Sequence, residues 1–226
     1  MATDAAFNWP PLESNPEVFT KYLLELGLPG DWFVSEVFGL DEDCLGFVPR
    51  PVAAVIVTFE SLKKLETDAP EAVTDYYMKQ TPKLDYACGV IACIHAVLNN
   101  LDKVQLVENS ILAKFYDATK AQTPADRALT LETMREFQDV HKAHANEGQT
   151  DQAANGDDVK HHFIAFVRNS RGQLVELDGM KKSALVVDDD CSDLLIGAAN
   201  VLQARVAEGN YSESLAVLTL SKVPLD

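Results

Sequence analysis

Positive charge is scarce in this chain. Its 226 residues carry 19 Lys and Arg against 35 Asp and Glu, a formal net charge of −16. Such a surface repels a phosphate backbone, which argues against nucleic acid as a partner and disfavours anionic membranes. A partner that is basic, or basic on one face, is drawn to it. Cysteine is sparse too: Cys44, Cys88, Cys93 and Cys191 form no CxxC pair and no dense framework. That excludes a disulfide scaffold and fits a reducing compartment, so the expected location is cytoplasmic, with the nucleus as a second. No apolar run approaches the roughly 18–20 residues of a membrane span. The opening MATDAAFNWPPLE has no basic segment followed by an apolar one, so no signal peptide is expected, and the ending Val-Pro-Leu-Asp offers no cysteine for prenylation. His141 and His144 have i, i+3 spacing without another ligand-like cluster near, so neither a metal nor another cofactor is expected.

What the chain does have is apolar material, 47% of its residues, enough for one substantial core. The densest part lies in Gln80–Asn100, QTPKLDYACGVIACIHAVLNN. From Ala87 onward it is apolar almost all the way round and reads as a buried helix. Upstream, Asn15-Pro16-Glu17 is a helix start, with cap, proline and early acid. Val18, Phe19, Tyr22, Leu23 and Leu26 form its stripe, and Gly27 stops it. Trp32–Phe38 has strand composition, Asp41-Glu42-Asp43 reads as an acidic turn, and Val52–Phe59 is a strand buried on both faces. Residues 60–78 look helical in part. Residues 101–121 suggest a helix burying Leu106, Val107, Ile111, Leu112 and Phe115, and Thr123-Pro124 starts another running to about Val140. Residues 141–160 are polar and aperiodic, a length that marks either filler or a functional loop. His162–Val167 and Leu174–Leu177 are strands joined by Asn169-Ser170-Arg171-Gly172. A helix capped by Ser192 or Asp193 runs to Gly209, and Leu215–Leu220 is a last strand. Helices alternating with buried strands read as one mixed α and β domain.

Cys88 stands in the first turn of the apolar helix, where unpaired N–H groups and the positive end of the helix dipole favour thiolate over thiol. A free cysteine there is also compatible with plain packing. The hairpin adds to the first reading. Its turn centres near residue 170.5, which sets residue 162 opposite 178 or 179 and makes His162 and Asp178 neighbours. A carboxylate that fixes the tautomer of a histidine makes an oriented base, although such a pair also occurs as a structural one. Together the three residues form a Cys–His–Asp hypothesis. His95 shares a helix face with Cys88, but seven residues at ~1.5 Å rise place it about 10 Å away, which assigns it to the core. His161 points to the opposite face of its strand from His162. Cys93 points away from Cys88 and reads as core, whereas Cys44 and Cys191 lie in polar surroundings without an evident base. An acyl-transferring thiol also needs oxyanion donors: the Cys88 N–H is one, and the Gln80 side-chain amide is a candidate for the second.

These residues are similar to those of a known family. The chain resembles the ubiquitin C-terminal hydrolases, in their short single-domain branch. The resemblance runs through Trp9-Pro10-Pro11-Leu12-Glu13-Ser14-Asn15-Pro16-Glu17 and Val48-Pro49-Arg50-Pro51-Val52. It is densest at Met78-Lys79-Gln80-Thr81 and Ala87-Cys88-Gly89, and continues in Ile94-His95-Ala96, Glu147-Gly148-Gln149-Thr150, His162-Phe163-Ile164-Ala165 and Glu176-Leu177-Asp178-Gly179. It implies an α+β papain-like cysteine-hydrolase fold, a central antiparallel sheet flanked by helices, with a knotted chain. It implies a single catalytic domain over 1–226 in which 141–160 is a crossover loop at the active site. It implies Cys88 as nucleophile, His162 as general base and acid, Asp178 as orienting carboxylate and Gln80 as oxyanion donor. The implied partner is ubiquitin, cleaved at its C-terminal glycine by a chain expected to act as a monomer. Pro11 and Leu12 would line the entrance, and Glu13, Glu17, Glu36 and Glu213 would meet the basic tail. A ubiquitin-binding protein of weak activity and a hydrolase for a ubiquitin-like modifier are the alternatives. Three features depart from the family pattern. Gln80 to Cys88 is eight residues rather than six, with Tyr86 in place of the usual asparagine. The His162–Asp178 interval is one residue longer than usual. Met180 stands where arginine is common. A bulged loop would absorb the first departure and the hairpin turn the second.

Overall fold

The computed structural model describes residues 7–63, 69–145 and 161–223. Its centre is a six-stranded antiparallel sheet, in spatial order β1-β6-β2-β3-β4-β5. The strands are β1 (Trp32–Glu36), β2 (Val52–Glu60), β3 (His161–Arg168), β4 (Leu174–Leu177), β5 (Leu185–Asp188) and β6 (Ala216–Lys222). Helices cover both faces, which is why β2 reads as an unbroken apolar run instead of an alternating one. Ala54 and Ile56 of β2 join Phe163, Ala165 and Val167 of β3 under α3 (Cys88–Leu98). Val55 and Val57 join Ile164 and Phe166 under α7 (Leu194–Ala207). This is the helix–sheet–helix α+β arrangement expected from the sequence.

On the α3 side stands α1 (Pro16–Leu26), capped by Asn15 and stopped by Gly27, whose φ of 113° is the left-handed geometry that favours glycine. The short α2 (Glu42–Gly46) occupies the stretch expected to be an acidic turn. Asp41 caps it, accepting from the Cys44 N–H at 3.0 Å. The helix expected over 101–121 is confined to α4 (Ile111–Thr119), capped by Ser110, and Val107 is exposed. The expected helix from Thr123 to Val140 is two, α5 (Pro124–Thr133) and α6 (Arg135–Ala145). Met134 between them is extended, and its carbonyl accepts from Phe137 and Gln138. This break turns Phe137, Val140, His141 and His144 inward. The first five residues of the expected 141–160 loop are therefore helical; 146–160 lie outside the described residues. Among the described residues of 60–78 there is no helix, and 64–68 lie outside them. β5, which sequence patterning passed over, is a four-residue edge strand too short to show a period. Cys191 is buried against the α7 core, contrary to the polar setting expected for it.

The hairpin differs from expectation by one residue of register. Arg168 pairs with Leu174 and Ala165 with Leu177, so the turn centres on residue 171 and the ladder, extended, would set His162 across from residue 180. β4 ends at Leu177, however, and the chain leaves the ladder in a turn over 178–181, closed by the Lys181 N–H on the Asp178 carbonyl at 3.0 Å. That departure returns the Asp178 carboxylate to His162.

Candidate active site

The first residue of α3 is Cys88, and the residue before it, Ala87, gives no side-chain cap. The opening N–H groups of the helix are thus unclaimed by a capping side chain, and they face a cleft of about 800 Å³ lined by Cys88, Gln80, His162 and Asp178. Leu12 and Phe163 pack where Gly89 leaves room beside the cysteine, 3.6 Å from the position of an added Cβ. The helix end is held from both sides, by the N-terminal arm and by β3.

His162 Nε2 lies 2.7 Å from Asp178 Oδ1. The same oxygen accepts the Met180 N–H at 2.9 Å, so the carboxylate is fixed by its own turn. Burial acts to neutralise both groups; the bond between them overrides it in each. The Asp178 carboxyl is held below the usual carboxylate range by the hydrogen bond from His162 and by its charge. Burial would depress His162, but the hydrogen bond to Asp178, and after it the one with the Cys88 thiol, carry it up to about 9. With Nε2 on Asp178, Nδ1 is the nitrogen left for Cys88. The ring therefore holds its proton more strongly than a free imidazole.

Gln80 reaches the cleft despite its longer spacing. The additional residues fold as a 3-10 turn, Pro82–Leu84, anchored by the fully buried Leu84. The Gln80 backbone N–H donates to the Gly179 carbonyl at 2.9 Å, and its side-chain Nε2 donates to the Asp85 carbonyl at 2.7 Å. No second acceptor for Nε2 is found among the described residues. Tyr86, in the same loop, is 43% exposed at the mouth of the cleft.

The other assigned residues distribute as follows. Pro11 and Leu12 line the cleft. Glu213 is exposed next to Ser214 and Leu215, which also line it. Glu13 is half-buried in the N-terminal arm. Glu17 and Glu36 are exposed on a separate groove between α1, β1 and α2, so the cleft and these two acids do not share a wall. His95 is a core residue: its Nε2 accepts the Met78 N–H at 3.0 Å and its ring stacks on Tyr77. Cys93 is fully buried, which pushes its thiol up and leaves it inert. His161 is exposed. Residues that sequence reasoning missed include Tyr211 and Phe59, both lining the cleft; their rings stack at 3.9 Å, and Phe59 meets the His162 ring edge-on at 5.9 Å. Tyr211 sits in a connection between α7 and β6 with no periodic signal to draw attention to it. Among the described residues no group of three metal-ligating side chains comes together, and no helix is long and apolar enough to cross a membrane.

A protein of Drosophila melanogaster named ubiquitin carboxyl-terminal hydrolase is 42% identical to this chain, over 94% of the chain and 97% of its own length. A Monodelphis domestica protein named ubiquitin carboxyl-terminal hydrolase isozyme L1 is 39% identical over 75% of the chain and 78% of its own length. The catalytic domain of Trichinella spiralis UCH37, solved bound to ubiquitin vinyl methyl ester, superposes with a TM-score of 0.76 at 25% identity, covering 98% of this chain and 99% of that one. With a cysteine at a helix start, a buried His–Asp pair beside it, and the model of ubiquitin carboxyl-terminal hydrolase family 1 matching residues 9–207, the chain belongs to that family.

Proposed function

We propose that this chain is a cysteine-type ubiquitinyl hydrolase, cleaving amide, ester, thioester or isopeptide bonds at the C-terminal glycine of ubiquitin. The observation that carries the reading is the bond of His162 to Asp178 at 2.7 Å, in the cleft where α3 begins with Cys88. The Cys88 thiolate adds to the glycine carbonyl, forming a C–S bond and an oxyanion. The Cys88 N–H and the Gln80 side-chain amide donate to that oxyanion. Imidazolium His162 passes its proton to the leaving group as the bond to ubiquitin breaks. Neutral His162 then takes a proton from water; the hydroxide adds to the acyl carbon and the C–S bond breaks, restoring the thiolate–imidazolium pair. Asp178 keeps the ring oriented through both steps. No metal or cofactor takes part.

The substrate reading rests on the family, and the acidity of the chain suits it. The tail of ubiquitin is basic, and Glu13 and Glu213 are its proposed contacts, with Pro11 and Leu12 at the entrance; Glu17 and Glu36, on the separate groove, are proposed to meet ubiquitin away from the cleft. Residues 1–226 are proposed as one catalytic domain, and the part of the expected 141–160 loop that follows α6 as a crossover loop limiting the size of what hangs from ubiquitin. We place the protein in the cytoplasm, and in the nucleus as a second site, acting as a monomer.

Turnover of ubiquitin bearing a C-terminal fluorophore tests the reading. The wild-type chain is expected to turn it over, and Cys88→Ala to lose at least about 10⁴-fold in kcat while still binding ubiquitin. Tight binding without turnover by the wild-type chain would make it a ubiquitin-binding protein instead. Turnover confined to a ubiquitin-like modifier would move the substrate, and activity surviving Cys88→Ala would remove the mechanism.

A further inference from the structure

The turn 178–181 carries Asp178, so whatever holds that turn sets the geometry of the His162–Asp178 pair. Its strongest support comes from outside the cleft. The Tyr77 hydroxyl lies between the first and last carbonyl oxygens of the turn, 2.7 Å from that of Asp178 and 2.6 Å from that of Lys181, and donates its one proton to them. Tyr77 is itself immobilised. Its ring stacks on His95 with centroids 5.3 Å apart and planes 8° from parallel, and its carbonyl accepts from Arg127 Nη1 at 2.7 Å. Burial, followed by the charges of Asp178 and Glu176, raises the phenol well above its ordinary pKa, so it remains a donor at any working pH. The segment following Tyr77 grips the same turn twice more: Lys79 Nζ donates to the Lys181 carbonyl, and the Gln80 N–H to that of Gly179.

A second brace reaches the same place from behind the sheet. Lys181 Nζ pairs with Glu176, which is 1% exposed, and Glu176 pairs with Arg205 of α7. Arg205 Nη1 donates to the Tyr211 hydroxyl at 2.6 Å. Tyr211 stacks on Phe59, and Phe59 meets the edge of His162. Turn, ion pairs, aromatic stack and histidine therefore form a closed ring around the catalytic pair, with Tyr77 pinning the turn from the α3 side.

We propose that Tyr77 is a positioning residue for the Asp178–His162 pair, its hydroxyl holding the turn 178–181 so that Asp178 Oδ1 stays within reach of His162. The proposal rests on the catalytic reading of Asp178 given above. Removing the hydroxyl takes away the one donor that ties the first carbonyl of the turn to the last and loosens the turn, which keeps its bonds from Lys79 and Gln80, while the apolar ring and its stack on His95 remain.

The test is Tyr77→Phe in the full chain, with Asp178→Asn as reference. Three quantities are read below the unfolding midpoint of each variant: kcat and KM for ubiquitin bearing a C-terminal fluorophore, the NMR titration of the His162 ring, and the thermal midpoint. Tyr77→Phe is expected to lower kcat about tenfold, the worth of roughly one hydrogen bond. KM should stay within about twofold, because Tyr77 lies outside the proposed ubiquitin contacts. The His162 midpoint should fall below the wild-type value, and the alkaline limb of the rate should follow it. Lys181→Met, which loosens the turn from the other side, should shift the His162 midpoint in the same direction by less. A lower thermal midpoint with kcat and His162 titration unchanged would mean a purely structural role and overturns the proposal. So does a fall in kcat with the titration unmoved. A Lys181→Met chain with a wild-type His162 titration overturns the route through the turn. If Asp178→Asn keeps full activity, the reading of Asp178 fails first and the proposal falls with it; if Asp178→Asn is impaired and Tyr77→Phe is not, the proposal alone fails.

Discussion

Three largely covered histidines, His162, His95 and His141, answer burial in opposite ways. His162, on β3, is carried up to about 9, whereas His95 in the last turn of α3 and His141 on α6 are pushed down to about 4. Desolvation is the largest influence on all three and acts in the same sense. What differs is the partner. His162 has a carboxylate at 2.7 Å. His95 Nε2 accepts a backbone N–H, which a protonated nitrogen cannot do, and His141 faces the neutral carbonyl of Pro10 at 2.6 Å. Among these three, the imidazole with a carboxylate at hydrogen-bond distance is carried up, and the two that face only backbone are pushed down. The site and the core are built from the same residue type, separated by one contact.

Three substitutions or conditions break or sharpen that contrast. Asp178→Asn removes the carboxylate and should make His162 behave like the other two. Its kcat/KM is expected to fall about 10²–10⁴-fold, and the alkaline limb of a pH–rate profile to move down from near 9. A limb that stays put would show that Asp178 does not hold the proton on His162. Gln80→Ala leaves the histidine contrast intact and tests only the oxyanion. A loss of about 100-fold in kcat is expected at unchanged ubiquitin affinity; a loss under about tenfold would assign that donor to another group, since Gln80 already commits one amide hydrogen to Asp85. The smallest effect is on stability. His95 and His141 have folded pKa values below the unfolded one, so below about 6.5 the unfolded chain binds the extra protons. Stability is then lost as pH falls from about 6.5 to about 4, by of order 2–3 kcal/mol for each. Urea unfolding at a series of pH values measures the slope, and His141→Gln should reduce it by about the share of one histidine. His162 works the other way: its contribution is present below about 6.5 and fades as pH rises through about 9.

Much of the site was legible because its signals are local. Asn15 and Gly27 bound α1 as their residue types require, and an apolar helix opening with cysteine needs no distant partner to be recognised. The hairpin turn at Asn169–Gly172 brought the segments of His162 and Asp178 together by chain reversal, and the turn over 178–181 completed the approach. Where the reading failed, the cause was non-local. The register of β3 on β4 was off by one because the turn residues do not specify which carbonyl closes the loop. Met134 interrupts a stretch whose composition is helical throughout; beyond the break His141 and His144 pack on Tyr22 of α1 and Phe137 on Phe115 of α4, contacts that the local sequence does not announce. Cys191 reads as lying in polar surroundings among aspartates, yet it is buried, its Sγ close to Gly197 of α7.

Residue order by itself determined the elements that bear the chemistry: a thiol at a helix start, a base on a strand, and a carboxylate one hairpin away. Those depend on caps, periods and turns, which act over a few residues. Tertiary structure alone decided which groups carry charge. Asp178 leaves its strand one residue early and is held there by Tyr77 and by the 77–80 segment, about a hundred residues before it in the chain. The state of His162 depends on that placement, because a hydrogen bond to a buried carboxylate acts over less than 3 Å and no pattern in sequence encodes a distance so short.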